Sequence, residues 1–257
     1  MKDIQNEVDR RNIALKNVGI KDFKLPISVL DREAKTQKTI AKIDASVDLP
    51  HDVKGTHMSR FIEIIKDMGS VSPENVEKTL DRMIEKLESK SAYMKINFDY
   101  FIKKPSPVTE IESLTDIVCS YEGFKVVDEF KFLMGVSVPV ITLCPCSKAI
   151  SEFGAHNQRA IVEIVVDTNS FVWIEDIVKI AEESASSPVY PILKRQDEKY
   201  VTEQSYLNPR FVEDVAREVA IRLEENEKIN WYGVGVESIE SIHNHSAFAY
   251  TEKGYTL

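Results

Sequence analysis

The sequence has little cysteine and no long apolar run. Only three of its 257 residues are cysteine, an odd number that cannot form a complete disulfide framework, so we expect a reducing, cytoplasmic environment. The most apolar stretch, residues 134–144, is far shorter than the roughly 20 residues of a membrane-spanning helix. The N-terminal segment carries charges throughout and lacks the apolar centre of a secretory signal. We therefore expect neither a membrane segment nor a disulfide scaffold.

Positive charge is also in short supply. The chain contains 33 Lys and Arg against 42 Asp and Glu, which gives a net charge of −9 and a sequence pI near 5.2. Duplex nucleic acid requires a dense positive surface, so this class of partner is excluded, and an anionic ligand needs a local positive pocket. With 43% hydrophobic and 29% charged residues, the composition is that of a globular protein large enough for one or two domains.

Two hydrophobic periods alternate along the first half of the chain. Ser72 at a predicted N-cap and Pro73 at the first helical position mark the start of the second helix. Period-two alternation predicts strands and a period of three to four predicts helices. The resulting order is strand, strand, helix, helix, strand, strand, over residues 23–31, 41–50, 57–70, 73–87, 93–102 and 115–124.

The second half repeats this order with different residues. Residues 144–158 form a predicted loop, and Asn208 with Pro209 marks the predicted start of the last helix. The predicted strands are 124–143, 159–168, 231–243 and 246–252, and the first helix of this half covers 174–185. Two ββααββ units indicate an internal duplication without visible sequence repetition.

This pattern predicts an α+β protein with antiparallel sheets and helices on one face. The expected organisation is an N-terminal segment (1–22), a first module (23–123) and a second module (124–257). A four-stranded antiparallel unit has two unpaired edges, and joining the sheets of several copies into a barrel removes them. A homo-oligomer with sites at its seams is therefore expected.

The densest chemical segment runs from Cys144 to Arg159. Cys144 and His156 lie at the end of one predicted strand and the start of the next, so the loop between them can present both side chains toward one point. A thiolate and an imidazole are typical ligands of a divalent metal such as zinc. Spacing alone does not exclude the alternative of a buried cysteine and a surface histidine without metal.

A second cluster lies near the C-terminus, where Glu240, His243 and His245 fall within six residues. On a strand the two histidines would point the same way, which suits two ligands or one ligand and a supporting donor. Glu213 lies opposite the apolar stripe of the last predicted helix, with Arg217 four residues on. Periodicity alone favours an exposed ion pair for Glu213.

Five segments in a fixed order resemble the FolE2 type of GTP cyclohydrolase, the type IB family related to the archaeal MptA enzymes. They cover nearly the whole chain: KGTHMSRF (54–61), CPCSKAISEFGAHNQR (144–159), DEKYVTE (197–203), NPRFVEDVAR (208–217) and ESIESIHNHSAFA (237–249). The resemblance implies a tunnelling fold (T-fold) with two ββααββ modules per chain, assembled as a homotetrameric β-barrel with active sites at subunit interfaces.

The resemblance also implies a ligand set and a substrate anchor. A divalent metal would be held by Cys144, His156, Glu198 and His243, and zinc, manganese and iron all tolerate such a mixed set. Glu213 would anchor the guanine base, because a carboxylate accepts the two parallel hydrogen bonds that N1–H and the 2-amino group offer.

The reaction implied is GTP plus water giving 7,8-dihydroneopterin triphosphate and formate, the entry step to folate-type pterins. Metal-bound water would supply hydroxide to C8 of guanine. Beyond the metal ligands Cys144 and His156, the proton-transfer candidates are Glu240, His245 and Cys146. The triphosphate would contact Arg60, Lys148 and Arg159.

Two other functions fit the same residues. One is the archaeal-type activity, which releases a dihydroneopterin cyclic phosphate. The other is a non-catalytic T-fold protein that binds a purine or pterin and has a structural metal, since structural sites are closed by four protein ligands. Product analysis separates the first from the leading hypothesis, and an assay for formate and pterin separates the second.

Overall fold

The structure, a computed structural model, describes residue 5 and residues 8–255. The described residues form six helices and ten strands that pair almost entirely in antiparallel fashion. In chain order the elements are β1 (Leu15–Asp31), β2 (Lys35–Leu49), α1 (Met58–Ile65), β3 (Ser70–Val71), α2 (Pro73–Leu87), β4 (Ser91–Lys103), β5 (Leu114–Val126), β6 (Glu129–Leu143), α3 (Pro145–Ile150), β7 (Asn157–Thr168), α4 (Ile174–Ser184), β8 (Ser187–Pro188), α5 (Arg195–Leu207), α6 (Val212–Glu224), β9 (Ile229–Ser238) and β10 (Ala247–Glu252).

The ββααββ order occurs twice, and the protein is an α+β fold as expected. The first occurrence is β1-β2-α1-α2-β4-β5 and the second is β6-β7-α4-α6-β9-β10. The strand predicted over 124–143 is divided by a tight turn whose Val127 has a positive φ of 53°. None of the described helices is long and apolar enough to cross a membrane.

The chain forms two compact units, whose limits fall inside long strands. The first unit comprises the chain up to Asp99 together with Ser120–Met134, and the second comprises Tyr100–Cys119 and the chain from Gly135. Strands are hydrogen-bonded in the order β6-β5-β4-β2-β1-β3 in the first unit, and β10-β9-β7-β6-β5-β4 in the second, where β8 also pairs with β6.

The expected N-terminal segment 1–22 is only partly described. Residues 1–4, 6 and 7 lie outside the described residues, and β1 begins at Leu15, before the strand predicted from residue 23. The expected division between residues 123 and 124 falls within β5, and the two-module boundary stays a prediction.

Helix α2 forms where the turn residues predict it. Ser72 is its N-cap and accepts a hydrogen bond from Asn75 N at 3.3 Å, with Pro73 following at the first helical position. Val76 and Leu80 are buried on one side of the helix. The apolar stripe of α2 therefore belongs to the core of the first unit.

The second unit buries the alternating apolar residues of its strands against α4 and α6. Val162 and Ile164 on β7 are fully buried, as are Ile177 on α4 and Val219 on α6. Helix α6 contacts β9, β10 and α4. This packing fixes the position of the α6 N-terminus relative to the ends of the strands.

The start of α6 differs from the prediction. The helix begins at Val212, with Phe211 as N-cap, and Asp214 Oδ2 accepts a hydrogen bond from Phe211 N at 2.9 Å. Asn208 instead caps the C-terminus of α5, and its Nδ2 donates to Ala185 O at 2.8 Å. The predicted N-cap at Asn208 is therefore wrong. An Asn-Pro pair is also common where one helix ends shortly before the next begins.

Helix α5 was not predicted because its buried side is not apolar. Its buried residues are Asp197, Val201 and Ser205. Asp197 is fully buried and accepts hydrogen bonds from Val108 N, Thr109 N, Thr109 Oγ1 and Lys194 N at 2.6–2.9 Å. Burial alone would raise the pKa of this carboxyl, but the donors outweigh burial and hold the pKa below its ordinary value. A buried carboxylate thus anchors the first turn of α5.

We expect Gly123→Ala to destabilise the first unit. An added Cβ would lie 2.6 Å from Val76 Cγ1 and 3.0 Å from Leu80 Cδ1, so these side chains or α2 itself must move, at a cost of about 1–3 kcal/mol. Urea unfolding measures this loss. Val76→Ala removes the methyl group that the new Cβ would meet. The double variant should therefore lose less free energy of unfolding than the sum of the losses of the two single variants.

Gly55→Ala is the matched control, because its added Cβ comes no closer than 3.7 Å to another side chain. This variant should unfold at the wild-type urea concentration or slightly above it. An unchanged midpoint for Gly123→Ala would show that α2 is not packed against β5 as described.

Candidate functional site

A cavity of about 350 Å³ lies in the second unit and collects most of the chemically notable residues. It is lined from the end of β6, the starts of α3 and β7, the N-terminus of α6, the end of β9 and the segment up to Phe248. The cavity therefore lies where several strands begin or end, in a single compact unit.

Cys144 and His156 reach this cavity from the two ends of one loop. Cys144 N donates to His156 O at 3.1 Å, which continues the pairing of β6 and β7 by one step. Within the loop, Ser147 N donates to Cys144 Sγ at 3.4 Å, and Ser147 Oγ accepts from His156 N at 3.2 Å. The predicted loop contains the short helix α3, capped by Cys144. The thiol and the imidazole thus line the same cavity.

His243 and His245 also line the cavity, but from a loop. Strand β9 ends at Ser238 and β10 begins at Ala247, so the expected strand position of the two histidines is wrong. Both side chains are exposed, and their rings stack with centroids 5.1 Å apart and an interplanar angle of 22°. The two imidazoles are thus side by side as stacked rings, not as alternate residues of a strand.

A polar network lies at the base of the cavity around Gln158. Its Nε2 donates to Thr142 Oγ1 and to Glu240 Oε1, both at 3.3 Å, and its Oε1 lies 3.0 Å from His156 Nδ1. Ser238 Oγ donates to Glu240 Oε1 at 2.9 Å. Thr142 and Ser238 are almost completely buried. Glu240 and His156 are thereby connected through one amide.

Glu213 and Arg210 line the cavity near the α6 N-terminus. Glu213 is exposed, and within the part of the chain that the structure describes it makes no ion pair with Arg217. Arg210 N donates to Leu143 O at 3.0 Å, while its buried Nε has no hydrogen-bond acceptor among the described residues. A buried guanidinium N–H without a partner is costly, and no acceptor among the described residues offsets this cost.

The other expected site residues do not line this cavity. Glu198 is exposed in the first turn of α5, and Arg159 is exposed on β7. Lys148 Nζ donates to Tyr206 O and lies 4.4 Å from the centroid of the Tyr206 ring. Arg60 belongs to the first unit, where its Nη1 donates to Lys86 O at 3.2 Å. The cavity lining does include Cys146.

The donor chemistry of the cavity fits a divalent metal of the zinc type. Cys144, His156 and His243 offer a thiol and two imidazoles, the ligands that such metals prefer. Among residue 5 and residues 8–255, no three His, Cys, Asp or Glu side chains are gathered closely enough to hold an ion. The ligand set stays a prediction.

Sequence reasoning missed Gln158, Arg210, Thr142 and Ser238. A usable signal existed for two of them, since Gln158 follows His156 by two residues and Thr142 precedes Cys144 by two. Residues two apart on a strand face the same side. Arg210 gives no such signal, because its importance lies in an unpaired buried atom.

Comparison with known proteins gives the family. The sequence model of the family described as type I GTP cyclohydrolase folE2 matches residues 1–249. The chain is 57% identical over 252 residues to GTP cyclohydrolase FolE2 of Caldicellulosiruptor bescii, covering 98% of each chain. It is 55% identical over 254 residues to GTP cyclohydrolase FolE2 of Thermotoga maritima, covering 99% of this chain and 98% of the relative.

Solved structures share the fold at low sequence identity. Uricase from Arthrobacter globiformis matches with a TM-score of 0.54 and 7% identity, covering 94% of this chain and 95% of the uricase. Urate oxidase from Bacillus sp. TB-90 matches with a TM-score of 0.54 and 8% identity, covering 93% and 99%. The fold is thus T-fold-like, as in these oxidases. By sequence, however, this chain belongs to the type I GTP cyclohydrolase folE2 family.

Proposed function

We propose that this protein is a GTP cyclohydrolase that converts GTP and water to 7,8-dihydroneopterin triphosphate and formate, the first step of folate-type pterin synthesis. The names of its relatives, which share more than half of its residues, support this activity. The observation that carries the proposal is that one cavity is lined both by a carboxylate suited to guanine and by thiol and imidazole groups.

Guanine would be held by Glu213 and Arg210. The Glu213 carboxylate accepts hydrogen bonds from N1–H and the 2-amino group, which lie side by side on guanine. Arg210 also lines the cavity, and its guanidinium can donate to an oxygen of the same substrate. The absence of an ion pair between Glu213 and Arg217, among the residues described, leaves this carboxylate available. Together these groups orient the base.

A divalent metal, zinc, manganese or iron, would be held by Cys144, His156, His243 and Glu198. When bound, such a metal lowers the pKa of water so that hydroxide is available for C8 of guanine near neutral pH. Three of these residues line the cavity. Glu198 lies on a helix whose first turn is anchored by buried Asp197, which supports a defined position for this carboxylate.

Proton transfers would use the polar side chains around the cavity. Opening of the imidazole ring and release of formate each require protons to be delivered to nitrogen and removed from oxygen. Glu240, His245 and Cys146 line the cavity and carry suitable groups. Glu240 is tied to Ser238 and Gln158 by hydrogen bonds, so its carboxylate is held in place for this task.

The complete site would require a homotetramer whose sheets join in a barrel. One observation supports this proposal. Phe248 and Tyr250 on β10, the last strand in the order of its unit, are 79% and 62% exposed, and a paired strand or neighbouring chain would cover them. The proposed triphosphate contacts Arg60, Lys148 and Arg159 do not line the cavity, so in this proposal they would reach the triphosphate from a neighbouring subunit.

Incubation of the purified protein with GTP and each of Zn²⁺, Mn²⁺ and Fe²⁺ tests the activity. We expect formate and, after oxidation, a fluorescent pterin with at least one metal, while the metal-free protein should produce neither. A linear triphosphate as the product would support the proposed reaction, whereas a cyclic phosphate would indicate the archaeal-type activity. Absence of formate with every metal would leave purine or pterin binding as the function.

Cys144→Ala should lose both metal retention and turnover while keeping the fold, because a methyl group cannot ligate the ion. Metal content after gel filtration and the formate assay measure the two losses, and circular dichroism checks folding. Cys119→Ala is the control, since this buried cysteine on β5 lies outside the cavity lining. Full activity of Cys144→Ala would show that Cys144 is not a metal ligand required for turnover.

Glu213→Gln should raise KM for GTP roughly 10- to 100-fold, because a charge-assisted acceptor becomes a donor that faces a donor on guanine. Steady-state kinetics measure the change. Glu225→Gln replaces another exposed carboxylate at the far end of α6 and should leave KM unchanged. If Glu213→Gln kept the wild-type KM and kcat, Glu213 would have no role in binding guanine.

A further inference from the structure

We propose that Gln158 is a positioning residue that determines which ring nitrogen of His156 is free to bind a metal. This inference rests on the metal site of the proposed function, but it concerns the hydrogen bonds of the protein before any metal is bound. In this proposal Gln158 acts on the ion through His156 and is not itself a ligand.

The orientation of the Gln158 amide follows from its neighbours on one side. The ionised carboxylate of Glu240 only accepts hydrogen bonds, so the amide atom 3.3 Å from Glu240 Oε1 must be Nε2, which donates. The second hydrogen of Nε2 is directed to Thr142 Oγ1, also at 3.3 Å. Both amide hydrogens are therefore used, and the Gln158 carbonyl oxygen faces the opposite side.

The tautomer of His156 follows from this orientation. The Gln158 Oε1 atom can only accept, and it lies 3.0 Å from His156 Nδ1. Nδ1 must therefore carry the hydrogen, and the neutral ring has its lone pair on Nε2. Ser241 Oγ donates to the same Gln158 oxygen at 3.3 Å, which further favours the carbonyl at this position. His156 is thus prepared to bind an ion through Nε2.

Buried residues keep this arrangement from reversing. Thr142 and Ser238 are 1% and 0% exposed, and Ser238 Oγ donates to Glu240 Oε1 at 2.9 Å. Rotation of the amide by half a turn would place its oxygen against the Glu240 carboxylate and leave two acceptors in repulsive contact. Such supporting partners of a metal ligand typically contribute about 10- to 100-fold to metal affinity.

Nitrogen NMR of the metal-free, full-length protein labelled with ¹⁵N-histidine tests the tautomer directly. In long-range ¹H–¹⁵N spectra above neutral pH, we expect His156 of the wild type to carry its hydrogen on Nδ1. The His156 signals are assigned by their loss in His156→Asn. Gln158→Met, similar in size but without the amide, should give a mixture of tautomers. Gln158→Glu combined with Glu240→Gln keeps an acceptor toward Nδ1 and a donor between residues 158 and 240, so it should keep the hydrogen on Nδ1.

Zn²⁺ affinity, measured by competition with a chelator, provides the second measurement. Gln158→Met should bind Zn²⁺ about 10- to 100-fold more weakly than the wild type, and Gln158→Glu combined with Glu240→Gln should recover most of this loss. Gln204→Met, the control, replaces an exposed glutamine on α5 and should change neither the spectrum nor the affinity.

Wild-type His156 with its hydrogen on Nε2 would overturn the proposal, as would a Gln158→Met protein with the wild-type tautomer and affinity. If Gln158→Met fails to fold, the spectra of the wild type and of the variant with both Gln158→Glu and Glu240→Gln still decide. A protein that binds no Zn²⁺ and forms no pterin would refute the proposed function, whereas the metal-free spectrum tests the tautomer independently.

Discussion

The hydrogen bond from Cys144 N to His156 O is the interaction on which the site depends. This hydrogen bond extends the pairing of β6 and β7 by one residue on each strand, so that Cys144 and His156 are neighbours. Everything between them, including α3, is then a closed loop whose Ser147 contacts both ends. A thiol and an imidazole separated by eleven residues are therefore brought to one cavity by backbone geometry.

The polar groups of the cavity differ in how completely they are paired. At its base, Thr142, Ser238, Gln158 and Glu240 satisfy one another, as buried polar groups must, and this rigidifies the strand ends. At its α6 side, Arg210 Nε has no acceptor among the described residues, and Glu213 is exposed. The paired groups hold the base of the site in shape, and the exposed Glu213 carboxylate remains available to a ligand.

Much of this architecture could be predicted from the sequence, and the failures have physical causes. Ser72 and Pro73 located α2 because capping is local chemistry. Helix α5 was missed because Asp197 and Ser205 are buried through hydrogen bonds, which a hydrophobic period does not detect. The hydrophobic period alone could not place Glu213 at the cavity, as the family resemblance did, since a helix face that lines a cavity has the same polar pattern as one that faces water.

The 239–246 loop places two of the five imidazoles of this protein on a segment whose side chains are almost all exposed. Few apolar contacts hold such a segment, so the free energy required to disorder it is small. A ligand that binds there restricts the loop, and the loss of conformational entropy lowers its binding free energy. The strand ends thus supply the packed part of the site, while the loop supplies two imidazoles from a segment with few packing contacts.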